Sequence, residues 1–169
     1  DAAIIDAVLD FDAATGKLGT RSADAVLARA DALGLKVIWA LETHAHADHL
    51  SAANHIRKLT GARIGIGSRI TEVQTQFRAM FGAPEAETEG AVFDRLFADG
   101  DTFRIGAVQA RVMHTPGHTP ACVTYVIEGA AFVGDTLFMP DYGTARADFP
   151  GGDATALYRS IRAILALPE

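Results

Sequence analysis

Apolar residues along the chain follow two periods, and the period changes element by element. Ala2 to Asp6 (AAIID) is a short apolar run ending in a carboxylate and predicts a strand. Asp10, Asp12, Thr15 and Gly16 behind it are turn formers and predict a loop. Over 22–33, Ala25, Val26, Arg29, Ala30 and Leu33 recur at helical spacing, with Ser22 or Thr20 as cap and Gly34 as stop. Leu35 to Leu41 (LKVIWAL) is β-branched and aromatic and has the length of a buried strand, so the chain opens strand, helix, strand. His49 to Leu59 carries apolar residues at 50, 53, 56 and 59 and stops at Gly61, which predicts a helix, and Arg63 to Gly67 predicts a further strand. From Ser68 to about Phe97, Ile70, Val73, Phe77 and Met80 keep the helical period before a polar interruption from Gly82 to Gly90; this predicts a helical insertion over 68–97.

The last third has the two-residue period. Thr102 to Ile105, Val108 to Met113, Cys122 to Glu128 and Ala130 to Val133 predict short strands joined by turns such as Asp99-Gly100-Asp101 and Glu128-Gly129. A closing helix is expected over Ala154 to Leu167, with Asp153 as its cap and Leu157, Ile161, Ile164 and Leu165 inward. The sum is one α/β domain over 1–169, with helices covering sheets that are partly antiparallel.

The chain has 169 residues, 49% of them hydrophobic and 21% charged, a composition that folds as a globule and does not suit a disordered tail or a coiled coil. Fifteen basic residues against twenty-one acidic ones give a net charge of -6, which argues against nucleic acid as a partner. The single cysteine, Cys122, has no partner for an internal disulfide and is expected to fill the core; nothing here demands an oxidising compartment, so a cytoplasmic location is expected. Apolar runs such as Val37 to Leu41 are too short to span a bilayer, and no basic-then-apolar leader opens the chain. The chain begins at Asp1 within a predicted strand and stops at Glu169 just after a helical pattern, so it is expected to be a piece of something longer.

Five of the six histidines fall in two clusters, each in a loop that follows a predicted strand. Thr43-His44-Ala45-His46-Ala47-Asp48-His49 puts three imidazoles and a carboxylate within six residues. In an extended loop His44 and His46 project to the same side, while Asp48 and His49 are expected to begin the next helix and turn back to the same point. Such convergence suits a divalent metal. The second cluster, His114-Thr115-Pro116-Gly117-His118-Thr119, offers His118 on a constrained turn, with His114 at a strand end as a supporting residue. Asp135 follows Gly134 at the end of another strand and would serve as an anionic ligand. Imidazole plus carboxylate without thiolate suits zinc, iron or manganese. His55, further along the helix, faces elsewhere. Asp10-x-Asp12 is not a calcium loop, since Thr15 and Arg21 stand where glycine and glutamate are needed. No phosphate-binding loop is present, and Gly65-Ile66-Gly67-Ser68 is neither a nucleophile elbow nor a dinucleotide fingerprint.

His44-x-His46-x-Asp48-His49, then Pro116-Gly117-His118-Thr119, then Gly134-Asp135, resembles the ordered metal-binding signature of the metallo-β-lactamase superfamily. Asp6 resembles that superfamily's early acidic residue, which supports the histidine loop. The resemblance implies an αββα sandwich with the site at one edge of the paired sheets, here lacking the first strands and the C-terminal part. Within the superfamily the two histidine segments, together with Arg146-Ala147-Asp148-Phe149, are similar to persulfide dioxygenases, most of all a bacterial branch of β-lactamase-like hydrolases, which resemble glyoxalase II in fold. By that resemblance His44, His118 and Asp135 hold a single Fe(II) and leave three open positions. His46, Asp48 and His49 become supporting groups or the remains of a second metal site, and Arg146 and Tyr142 become substrate contacts. The implied reactants are glutathione persulfide and dioxygen, with a homodimer as an allowed assembly. The rival implied by the same fold is a glyoxalase II-like thioester hydrolase with Zn(II), in which Asp48 and His49 serve a second ion. A noncatalytic metal-binding domain is the reading from outside enzymology.

Overall fold

Two kinds of sheet follow from the two kinds of strand. The computed structural model describes residues 1–168. Strands β1 (Ala2–Ile5), β4 (Val37–Leu41), β5 (Arg63–Gly67) and β6 (Arg95–Phe97) form a parallel sheet in the order β1-β4-β5-β6. Strands β7 (Thr102–Ile105), β8 (Val108–His114), β9 (Val123–Ile127) and β10 (Ala130–Phe132) form an antiparallel sheet in the order β10-β9-β8-β7. Helices α1 (Arg21–Ala32), α2 (Ala53–Thr60) and α3 (Ile70–Met80) lie along the chain between the parallel strands.

The near-continuous apolar run of β4 is explained by burial on both faces. Trp39 and Leu41 join Phe97, Val112, Val123 and Tyr125 in the core between the sheets. Ala40 lies on the other face with Ile56 and Ile64, against which Leu27 and Ala30 of α1 pack. On β5, Ile64 and Ile66 face the helices, while Gly65 leaves room for Phe97: a Cβ there would stand 2.5 Å from the Phe97 ring. Trp39 donates its indole N–H to the Arg104 carbonyl, 3.0 Å, so its one polar group is satisfied inside the core. This arrangement matches the expected α/β sandwich. Among the described residues no helix is long and apolar enough to cross a membrane.

Four local expectations are corrected. Residues 10–19 form a hairpin, β2 (Asp10–Asp12) with β3 (Lys17–Gly19), where a loop is expected. Asp10 then reaches α1 and accepts from the Ser22 backbone N–H at 3.0 Å and its hydroxyl at 2.6 Å, so the cap comes from the hairpin and neither Thr20 nor Ser22 acts as one. The helix expected from His49 starts at Ala53. Residues 50–52 are drawn into pairing with 7–9 instead, through Leu9 N–H to Leu50 O, Ala52 N–H to Ala7 O and the bridge of Val8 with Ser51. The helical insertion over 68–97 is helical only as α3; its last residues are strand β6, pulled into the sheet because Phe97 fills the space over Gly65. The closing helix, α4 (Ala154–Ile164), is capped by Asp153 as expected, its carboxylate accepting from the Thr155 and Ala156 N–H groups.

Candidate metal centre

Each segment that carries a metal-type ligand follows a strand end at the same edge of the sandwich. The histidine loop leaves β4 and is tied to the second sheet by Val123 N–H donating to Thr43 O and by the Tyr125 hydroxyl donating to Glu42 O at 2.8 Å. The turn carrying His118 leaves β8 and is pressed against α4. Gly117 has φ +142, and a Cβ there would lie 2.3 Å from the Leu157 backbone, so only glycine fits. Asp135 lies in the short 3-10 turn Gly134–Thr136 behind β10, where Gly134, at φ +52, lets the chain come against the Thr43 side chain.

His44, His118 and Asp135 converge, their ligand atoms all lying within 4.8 Å of one another. The Nε2 atoms of His44 and His118 stand 3.7 and 3.6 Å from the same Asp135 Oδ2. Hydrogen bonds settle which ring nitrogen is free. Thr43 donates its backbone N–H and its hydroxyl to the Asp6 carboxylate, both at 2.7 Å, so its hydroxyl oxygen can only accept from His44 Nδ1–H, 2.9 Å away. His118 Nδ1–H donates to the Arg146 carbonyl at 2.8 Å. Both Nε2 lone pairs are thereby turned inward, the arrangement in which an outer partner fixes the tautomer of a metal-binding imidazole. Burial and the nearby His46 charge push the His44 pKa down to about 3, so the ring stays neutral near pH 7. Burial pushes the Asp135 carboxyl above its ordinary range. Asp135 keeps 37% of its side chain open to solvent against 2% for His44, which leaves the centre accessible from one side. Two imidazoles and one carboxylate around a half-open point fit a divalent ion with vacant positions.

The other histidines of the loop do not join this set. His46 Nε2 meets Asp6 Oδ1 and Glu42 Oε2, both at 3.1 Å. Burial disfavours its charged form, but these two carboxylates outweigh that and raise its pKa to about 10. Asp6 sits at φ +51, a conformation that aims its carboxylate at both Thr43 and His46, and its own pKa is lowered by those hydrogen bonds in spite of burial. His49 Nδ1 pairs with Asp48 Oδ1 at 3.1 Å, and its Nε2 is buried without a hydrogen-bond partner. His46, Asp48 and His49 make a second group whose ligand atoms lie within 4.8 Å of one another. A cavity of about 430 Å³ runs beside His44, His46 and His49 over a floor that includes Ile64, Ile66 and Ile70.

His114 donates its backbone N–H to Asp99 and bonds through Nε2 to the Pro120 carbonyl at 2.8 Å, so it braces the His118 turn from behind. Cys122 is buried, accepts from the Thr119 N–H and lies 3.1 Å from the Thr119 hydroxyl, and burial raises its pKa; this is a structural thiol. His55 pairs with Asp24 across α1 and α2 at 2.7 Å, well away from the loop. Arg146 reaches the centre through its carbonyl, while its guanidinium forks onto Asp148 at 2.7 and 3.2 Å. Tyr142 stands 82% exposed, edge-on to Phe138, and does not reach the ligand set. Three contributors are given no role by the sequence reading: Glu42, which it does not name, Thr43, and Phe149, whose ring lies 5.5 Å from that of His118 and 5.5 Å from that of Phe77. The signal for Glu42 was available, since it is an acid closing an apolar strand immediately before the histidines, as Asp6 closes β1.

A sandwich that gathers imidazoles and a carboxylate at one edge defines an α/β protein with a candidate metal site. The chain belongs to the metallo-β-lactamase superfamily, whose family model matches residues 1–169. It is 56% identical over 179 residues to a probable metallo-hydrolase of Burkholderia pseudomallei, covering 99% of this chain and 61% of that protein. It is 33% identical over 171 residues to the human mitochondrial persulfide dioxygenase ETHE1, covering 99% of this chain and 55% of that protein. The crystal structure of ETHE1 from Myxococcus xanthus superposes with a TM-score of 0.76 at 27% identity, covering 99% of this chain and 60% of that one. The chain thus spans little more than half the length of these relatives.

Proposed function

We propose that the protein containing this chain is an iron-dependent persulfide dioxygenase that oxidises glutathione persulfide. The observation that carries this reading is the split within the histidine loop: His44 converges with His118 and Asp135, while His46 is held away by two carboxylates. Two histidines and one carboxylate are the ligand set of mononuclear iron oxygenases, with open positions for reactants. The balanced reaction is RSSH + O2 + H2O giving RSH, sulfite and two protons; the outer sulfur gives up four electrons and dioxygen accepts them. Bound Fe(II) would supply the redox activation of dioxygen.

The remaining roles fall to side chains of this chain. Asp6, Thr43 and the Arg146 carbonyl hold both imidazoles in the Nε2-free tautomer, and the Asp135 carboxylate offsets cation charge on the solvent side. Phe149, braced by Phe77, shields one face of His118 from water. Arg146, beside His118, and Tyr142, on the exposed loop that precedes it, are the proposed contacts for the thiol carrier; Arg146 would exchange its Asp148 partner for a substrate carboxylate of the same forked geometry.

The specific observation favouring a second reading, zinc-dependent thioester hydrolysis, is the grouping of His46, Asp48 and His49, which resembles a second ion site beside the first. Metal analysis with oxygen-uptake measurement separates the two. One iron per chain with oxygen consumed and sulfite formed from glutathione persulfide supports oxidation. Two zincs per chain with thioester cleavage and no oxygen uptake overturns it.

A further inference from the structure

We infer that Glu42 is a positioning residue that holds His46 outside the metal centre and so limits that centre to three protein ligands. This rests on the reading that His44, His118 and Asp135 form the centre. Local geometry alone does not separate the two histidines: they alternate with Ala45, which packs toward the Ile66 and Ile70 side, and their rings lie 4.2 Å apart. Asp6 touches His46 directly but is also tied to His44 through the Thr43 hydroxyl. Glu42 is the carboxylate that touches His46 and has no hydrogen-bond path to His44.

Glu42 is also fixed so that it cannot follow a moving ring. Its side chain is 5% exposed. Its Oε1 accepts from the Ser51 hydroxyl, and that hydroxyl also takes the Ala53 N–H at 3.0 Å where α2 begins. Its backbone carbonyl holds the Tyr125 hydroxyl from the opposite sheet. His46 is therefore clamped between β1, β4 and the start of α2, and its ligand atoms group with Asp48 and His49 or with Asp6 and Glu42, not with the three-residue set.

The test is Co(II) titration of the purified protein, read by the intensity of its visible absorption and by affinity. The native protein should bind at the three-residue centre, and His46→Ala should leave the affinity of that centre within threefold. Glu42→Ala should free His46 to become a fourth protein ligand, strengthening the absorption and tightening binding by tenfold or more. The Glu42→Ala, His46→Ala double variant should return to native behaviour. Glu42→Gln keeps the buried volume and a partner for Ser51 but presents an amide N–H to His46; it should show the same spectral change and stands in if Glu42→Ala does not fold. The inference is overturned if the folded Glu42 variant titrates as native, if its change persists in the double variant, or if His46→Ala alone weakens binding more than tenfold. His44→Ala is the separate control: retained native binding there would sink the three-residue centre itself.

Discussion

Gly134→Ala is the smallest change that tests how the centre is built. The glycine has φ +52, where a Cβ meets its own carbonyl at a cost of about 1–2 kcal/mol. The added methyl would also stand 2.3 Å from Thr43 Oγ1 and 2.7 Å from Thr43 Cβ. Thr43 cannot withdraw without breaking its hydroxyl bond to Asp6 and its bond to His44 Nδ1. Each such bond contributes about 1 kcal/mol, more where one partner is a carboxylate. The total destabilisation is about 2–4 kcal/mol, and at about 2–4 °C per kcal/mol for a chain of this size the melting temperature should fall by roughly 5–15 °C. Metal affinity should fall further than stability requires, since displacing Asp135 or freeing the His44 ring each disturbs a ligand, and loss of an outer partner alone costs roughly 10–100-fold. The assay is competitive metal titration on protein shown to be folded, paired with a thermal melt. A folded Gly134→Ala protein that binds metal within twofold of native would refute the contact between the 134–136 turn and Thr43 as an organising element.

Three further outcomes follow from the same geometry. His118→Ala removes one of three ligands and should abolish metal retention after gel filtration, read by elemental analysis; a variant that keeps native metal content removes His118 from the site. Phe97→Ala should lose about 3–5 kcal/mol in urea unfolding, because the ring contacts Trp39, Phe103 and Tyr125 and the neighbouring Gly65 has no side chain to refill the space; a loss below about 1 kcal/mol would contradict the shared core between the sheets. In metal-free protein, His46, raised to about 10, contributes stability that is complete below its unfolded value of 6.5 and lost as pH rises toward 10. His44, lowered to about 3, contributes the reverse, complete above 6.5 and lost as pH falls toward 3. Urea midpoints across this range should therefore peak near neutrality, and a steady rise into the alkaline range would count against the His46 environment.

The fold was legible wherever one period ran long enough. The apolar run at 37–41 and the alternation over 102–133 announced the two sheets because burial on two faces and on one face leave different patterns. The errors fell where a distant partner decides the outcome. Arg95 to Phe97 follows a long polar stretch and is a strand only because Gly65, thirty residues earlier, leaves a space for Phe97. Residues 50–52 carry a helical pattern and are taken instead by pairing with 7–9, a contact no local window contains. At the site, residue types and order were readable, since few folds require imidazoles and a carboxylate at those spacings. Which histidines point where was not readable, because that depends on carboxylates arriving from β1 and β4.

The tripeptide His44-Ala45-His46 shows how a motif can carry more ligand-type residues than the proposed centre uses. His44 and His46 have the same side chain, the same projection and a common neighbour in Asp6, yet their environments drive them in opposite directions. The difference is the number of charges each meets directly. Asp6 reaches His44 only through a neutral hydroxyl, which orients the ring and adds little charge, so burial dominates and the ring stays a lone-pair donor. His46 meets two carboxylates at its Nε2, which favour its protonated, hydrogen-bonded form in the metal-free protein. One neutral hydroxyl against two carboxylates thus separates two similar imidazoles, one the proposed metal donor and the other a hydrogen-bonded brace. The ligand count proposed for this loop accordingly depends on the acids that close the preceding strands as much as on the histidines themselves.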